Sequence, residues 1–189
     1  MKKLSILCIA IIIGFTSCKN EKKETKTIET EVTETEVVTS KKIKMTLNAK
    51  SDSNVSGNVV FKEVDGEVSM TAIISGLTPG QHAIHIHANS DCTAPDGTSA
   101  GGHWNPTAQP HGKWGDEAGF HKGDIGNFTA DENGNGTISF STDEWCIGCG
   151  DETKDILGKS VIVHAGEDDL TSQPSGAAGA RVSCAGIIQ

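Results

Sequence analysis

Three histidines crowd into Gln81-His82-Ala83-Ile84-His85-Ile86-His87, and an extended chain cannot point all of them the same way. Side chains on a strand alternate with period two, so His85 and His87 share one face while His82, Ile84 and Ile86 share the other. The isoleucines mark the core side. His82 then reads as a buried, hydrogen-bonded structural histidine, and His85 and His87 read as a pair of ligands. A His-x-His on a strand suits copper or zinc held by imidazole, although by itself it also fits ordinary surface histidines. The distribution of the rest adds weight: the chain has seven histidines, and besides His82 they lie on this strand, at His103, His111 and His121, or at His164.

What must position these residues is a set of short extended segments. Ile43, Met45 and Leu47 alternate with polar residues, and further strand candidates run over 55–64, 68–77, 82–88, 125–130, 137–141, 160–164 and 180–188. Turn sequences such as Val64-Asp65-Gly66-Glu67 and Glu132-Asn133-Gly134-Asn135-Gly136 separate them. Eight short strands without helical periodicity predict an all-β, antiparallel barrel or sandwich. Residues 89–124 fit that pattern badly, being rich in Gly, Pro, Asp, His and Trp with no strand period. So long a loop needs something to hold it. It contains Cys92, His103, His111, His121 and Asp124, so a metal and a disulfide can replace the missing core.

Outside this region the chain reads as address and tether. Lys2 and Lys3 precede an apolar run from Leu4 to Phe15 that is too short to span a bilayer and fits the core of a signal peptide over residues 1–17. Phe15-Thr16-Ser17-Cys18 resembles the lipobox of bacterial lipoproteins, in which the cysteine is lipidated. The expectation is a protein of the periplasm or cell envelope, anchored to a membrane through Cys18; a plain secretory signal with an incidental cysteine is the alternative. Residues 18–40 are nearly all Lys, Glu, Thr and Val, a composition that buries no core and suits a charged, disordered tether. The folded domain is expected over 41–189, with 10 Lys and Arg against 19 Asp and Glu, which accounts for the whole formal charge of −9. Such a surface argues against nucleic acid as a partner.

Within 41–189 the runs His85-Ile86-His87, Ala100-Gly101-Gly102-His103-Trp104-Asn105-Pro106, Pro110-His111-Gly112, Phe120-His121-Lys122-Gly123-Asp124-Ile125-Gly126-Asn127, Val161-Ile162-Val163-His164 and Gly179-Ala180-Arg181-Val182-Ser183-Cys184 stand in order. Together they resemble the motifs of the copper/zinc superoxide dismutases. The resemblance implies an eight-stranded antiparallel Greek-key barrel with long metal-binding and active-site loops. It implies one copper ion held by His85, His87, His103 and His164, and one zinc ion held by His103, His111, His121 and Asp124, with His103 shared. Asp168 matches the carboxylate that hydrogen-bonds a ligand of each metal, although a solvated acidic turn with Glu167 and Asp169 would look the same. Arg181 matches the residue that holds the substrate anion, and Cys92 with Cys184 matches the intradomain disulfide. The implied activity is disproportionation of superoxide to dioxygen and hydrogen peroxide, with Arg181 and His103 as catalytic residues.

Three features depart from the family pattern. Gly176-Ala177-Ala178-Gly179 has Ala where Asn is common, and residues 170–180 carry no charge, so the sequence names no steering residue besides Arg181. Cys146 and Cys149 form an additional Cys-x-x-Cys. A thioredoxin-like role lacks the βαβ context, which leaves a local disulfide, a pair of free thiols or an accessory metal site. The rival function is a non-catalytic copper- and zinc-binding lipoprotein of the same fold. His111, His121 and Asp124 argue against a copper-only dismutase, and an adhesive or structural sandwich has no use for six clustered histidines. Oligomeric state stays open, a homodimer included.

Overall fold

In a computed structural model of the chain, residues 40–189 are described. The signal peptide, Cys18 and nearly all of the tether lie outside the described residues. Eight strands form: β1 (Ser40–Ala49), β2 (Ser56–Val64), β3 (Glu67–Ser75), β4 (Gly80–His87), β5 (Gly126–Ala130), β6 (Gly136–Thr142), β7 (Ser160–His164) and β8 (Arg181–Gly186). All pairings are antiparallel, and the sheet closes on itself in the order β1-β2-β3-β6-β5-β4-β7-β8. The steps from β3 to β6 and from β4 to β7 make this the Greek-key pattern.

Alternation explains the first half of the barrel. Ile43 pairs with Phe61, Phe61 with Met70 and Met70 with Phe140, so one row of apolar side chains crosses four strands on the inner face. A one-residue slip would turn that row out to solvent, and register is fixed accordingly. The β2–β3 turn places Asp65 at φ 51° and Gly66 at φ 84°. Positive φ at both positions is what a two-residue hairpin in a right-twisted sheet requires.

Strands β4 and β7 are buried on both faces. Every residue of β7 is buried, as are His82 to His87 of β4. The outer side of β4, expected from alternation to bear two ligands, is roofed by the loop of residues 88–125. Trp104 N donates to Ile86 O at 2.8 Å, Ile86 N to Gly123 O at 2.9 Å, and Ala88 N to Gly102 O at 2.9 Å. Gly123 is needed there, because a Cβ would lie 2.1 Å from the Ile86 carbonyl oxygen. Farther along, a disulfide ties Cys92 to Cys184 on β8 across a sequence separation of 92. On the chain-entropy account such closure contributes about 4–5 kcal/mol.

Candidate metal centre

His82 occupies the place that alternation assigned to it. Its Nδ1 lies 2.9 Å from the His164 carbonyl and its Nε2 lies 2.8 Å from the Thr78 carbonyl, so both ring nitrogens are engaged in structure. The other six histidines face one another. His85, His87, His103 and His164 form one group and His103, His111, His121 and Asp124 another, with the donor atoms of each group within 4.8 Å of one another. His103 belongs to both.

The partners of the rings settle which nitrogens face the two centres. Carbonyl and carboxylate oxygens only accept, so a ring nitrogen bonded to one carries the proton and leaves the other nitrogen as a lone-pair donor. His87 Nδ1 donates to Gly101 O at 2.9 Å and His164 Nδ1 to Gly179 O at 3.3 Å, which frees Nε2 of each ring. Those two Nε2 atoms are 3.4 Å apart. His85 Nε2 donates to Asp168 Oδ2 at 2.8 Å, and His111 Nε2 donates to Asp168 Oδ1 at 2.9 Å. Asp168 therefore bridges a ring of each group. Its own main chain is gripped by Asn127, whose Oδ1 accepts the Asp168 N–H and whose Nδ2 donates to the Asp168 carbonyl, both at 2.8 Å.

What remains is a set of orphaned donors. His85 Nδ1, His103 Nε2, His111 Nδ1 and His121 Nδ1 are buried without a hydrogen-bond partner. In the second group the nitrogens of His103, His111 and His121 lie 2.8, 3.0 and 3.2 Å from oxygens of Asp124. Adjacent ligands of a tetrahedral zinc ion at 2.0–2.1 Å would be about 3.3 Å apart. The spacing and the chemistry of this second set fit zinc, and four imidazole nitrogens in the first set fit copper.

Electrostatics point the same way. Burial, reinforced by neighbouring imidazoles, pushes His164 down to about 3 and holds His87 well below its ordinary value. Burial likewise takes His103 down to about 4, against the opposing pull of Asp124. These rings are neutral near pH 7, so a cation meets no proton in competition for them. Burial would raise Asp124 and Asp168. The hydrogen bonds they accept, together with the imidazoles close by, outweigh it and hold both well below the usual carboxylate range. Burial also works against His111, yet the close Asp124 carboxylate and the hydrogen bond to Asp168 raise it to about 9. A cation set between these groups supplies the charge that a proton on His111 otherwise provides.

Arg181, the first residue of β8, stands at the edge of the four-histidine group. Its Nη1 donates to Gly97 O at 2.7 Å. Together with His87, His103, His164, Pro174 and Ser175 it lines a cavity of about 430 Å³. A larger cleft of about 670 Å³ beside Trp104 touches only His103 of the four, so the smaller cavity is the one that reaches the chemistry.

The family model described as copper/zinc superoxide dismutase matches residues 55–187. The chain belongs to the copper/zinc superoxide dismutase family. It is similar to the solved structure of a double mutant of a SOD-like protein from Bacillus subtilis, at 30% identity over 77% of this chain and 97% of that one, with a TM-score of 0.69. A single mutant of the same Bacillus subtilis protein matches at 28% identity over 77% and 97%, also with a TM-score of 0.69. The clock protein EA4 matches at 31% identity, covering 77% of this chain and 94% of its own, with a TM-score of 0.65. Within this superoxide dismutase domain, Asn127, Gln173 and Gly176 carry positioning work that sequence reasoning missed. Asn127 stood inside a family motif, which was a signal; Gln173 sits in an uncharged loop and gave none. The Cys-x-x-Cys is closed as a disulfide between Cys146 and Cys149, the first of the three alternatives.

Proposed function

We propose that the protein is a copper/zinc superoxide dismutase that converts superoxide to dioxygen and hydrogen peroxide, working in the periplasm or cell envelope from a lipid anchor at Cys18. His85, His87, His103 and His164 would hold copper, and His103, His111, His121 and Asp124 would hold zinc. Bound copper would supply a one-electron couple and bound zinc a fixed positive charge without redox chemistry.

The observation that carries the catalytic reading is Arg181 on the wall of the same cavity as His87 and His164. A metal store needs ligands but gains nothing from a guanidinium beside them. With Nη1 fixed on Gly97 O, the remaining N–H donors are free to hold a small anion by charge-assisted hydrogen bonds. A formal charge of −9 repels superoxide from the protein as a whole, so capture depends on a local positive region focused by the cavity walls. His103 Nε2, orphaned and on the same cavity, is where a proton can be held and passed to the reduced product.

Stopped-flow measurement of superoxide decay tests this reading. Arg181→Ile should slow the reaction at least about tenfold with copper and zinc contents unchanged, and rising ionic strength should slow the wild type more than the variant. Equal rates at low salt would remove Arg181 from the mechanism. A metal-loaded wild type with no turnover would favour the rival reading, a binding protein of the same fold.

A further inference from the structure

The segment between β6 and β7 carries reactive groups that the histidine centre does not use. Trp145 and Ile147 are buried and anchor it to the core on either side of Cys146. The chain then turns outward through Gly148 and Gly150, both with positive φ, and brings Cys149 to the surface. Both sulfurs and a carboxylate oxygen of Asp155 lie within 4.8 Å of one another.

The disulfide is not what shapes this loop. Asp155 Oδ1 accepts the backbone N–H groups of Gly148 at 2.9 Å and Leu157 at 3.0 Å, while Oδ2 accepts that of Gly150 at 2.9 Å. Cys146 N donates to Lys154 O at 2.8 Å, and Ile156 N donates to Cys146 O at 3.1 Å. None of these bonds needs the crosslink, so the backbone of Cys146 and the residues on either side of Cys149 stay held when it opens. A crosslink with a sequence separation of 3 also restricts the unfolded chain far less than one with a separation of 92.

Opened, the pair becomes a donor set. A carboxylate has about four acceptor positions, and Asp155 Oδ2 keeps one in hand. Two thiolates beside a carboxylate repel one another, and a cation among them relieves that repulsion. Thiolates select soft ions over hard ones. Asp155 also lines the open cleft of about 670 Å³, which gives an ion a route from solvent.

We propose that Cys146, Cys149 and Asp155 form a redox-gated site for a thiophilic cation, Cu(I) or Zn(II), separate from the histidine centre and independent of whether that centre turns over superoxide. Opening requires an external two-electron reductant such as a dithiol. One of its thiolates attacks the exposed Cys149 sulfur, the S–S bond breaks and Cys146 leaves as thiolate. The second thiol then displaces Cys149 and the reductant departs as its own disulfide. The pair gains two electrons and two protons, and cation binding displaces the protons.

The test uses the full chain with its histidine sites already filled with copper and zinc. After reduction by a phosphine, Cu(I) and Zn(II) are titrated separately against chromophoric chelators. Reduced protein should bind one further ion of either metal, unreduced protein none, and excess Mg²⁺ should not compete. The variant Cys146→Ser/Cys149→Ser keeps the Asp155 bonds and the Cys92–Cys184 pair, and should bind no further ion after the same reduction. Asp155→Asn should weaken the added site about tenfold through loss of charge. The proposal is overturned if the reduced wild type takes up nothing, if the double serine variant takes up as much, or if Asp155→Asn binds with unchanged affinity.

Discussion

Gln173 grips the main chain of His111 from both sides: its Oε1 accepts the His111 N–H and its Nε2 donates to the His111 carbonyl, each at 2.9 Å. Asp168, five residues earlier, holds the ring of the same histidine. The loop between β7 and β8 therefore fixes both the backbone and the imidazole of one residue of the proposed zinc set. The next residues of that loop, Pro174 and Ser175, line the cavity over the four-histidine group.

Removing that grip should loosen zinc more than copper. Gln173→Ala loses both hydrogen bonds to His111, at a cost of about 1–2 kcal/mol, and lowers the midpoint of thermal unfolding by a few degrees. Zinc should pass to a chelator faster than from the wild type. Gln173→Glu, which retains the acceptor and loses the donor, should fall between. Identical zinc release from all three proteins would show that the clamp does not act on the site.

Gly176 protects the Asp168 bridge by having no side chain. A Cβ there would lie 1.7 Å from Asp168 Oδ1 and 2.6 Å from His111 Nε2, on a backbone with φ +69°. Gly176→Ala must displace the carboxylate, so both metals should be held more weakly, with a loss of about tenfold or more in affinity. Gly102→Ala is the comparison, because a Cβ there meets nothing within 4 Å. Equal metal retention in the two variants would contradict the bridging role.

The pH dependence of the chelated, metal-free protein follows from the buried rings. Unfolded histidine titrates near 6.5, whereas folded His103 and His164 stay neutral down to about 4 and about 3. Between those values the unfolded chain binds more protons, so stability falls as pH drops from about 6.5, by an amount on the order of a few kcal/mol. Asp124 and Asp168 have depressed folded values; their contribution is present above the ordinary carboxylate range and is lost as pH falls through the folded values. His111, raised to about 9, acts in the opposite sense. Its contribution is complete below about 6.5 and disappears as pH rises through 9. Urea midpoints across this range should peak near neutrality, and a flat profile between pH 6.5 and 4 would be incompatible with neutral buried rings.

The proposed membrane anchor would rest on Cys18 alone. Wild-type protein should fractionate with membranes and incorporate labelled fatty acid, and Cys18→Ser should do neither while its folded domain keeps copper and zinc. Membrane association that survives the substitution would point to a different attachment.

Much of this was legible from local pattern. Ile43, Met45 and Leu47 alternate because one face of β1 meets the core, and any strand with one wet face shows that period. His82 declared its structural role by sharing a parity with Ile84 and Ile86. Parity says nothing about what covers the other face, so the burial of His85 and His87 could not be read from β4 itself. It depends on a loop whose hold on the strand is made by backbone groups at Trp104 and Gly123, and backbone groups leave no mark in a sequence.

The sequence by itself determined the strand inventory, the all-β antiparallel class and the cluster of six histidines, because composition and short periods are local properties; the roles of Asp124 and Asp168 came from the resemblance to the family motifs. Only the tertiary structure decided which nitrogens of His85, His87, His111 and His164 turn toward the histidine groups, how Asn127 and Gln173 hold Asp168 and His111, and that Asp155 shapes the loop of the second disulfide. The Gln173 and Asn127 clamps join residues 62 and 41 positions apart, and the Asp168 bridge to His85 spans 83. No periodicity connects such partners. They meet because the Greek-key path brings distant loops to one end of the barrel, where each buried polar atom must find a partner or a cation.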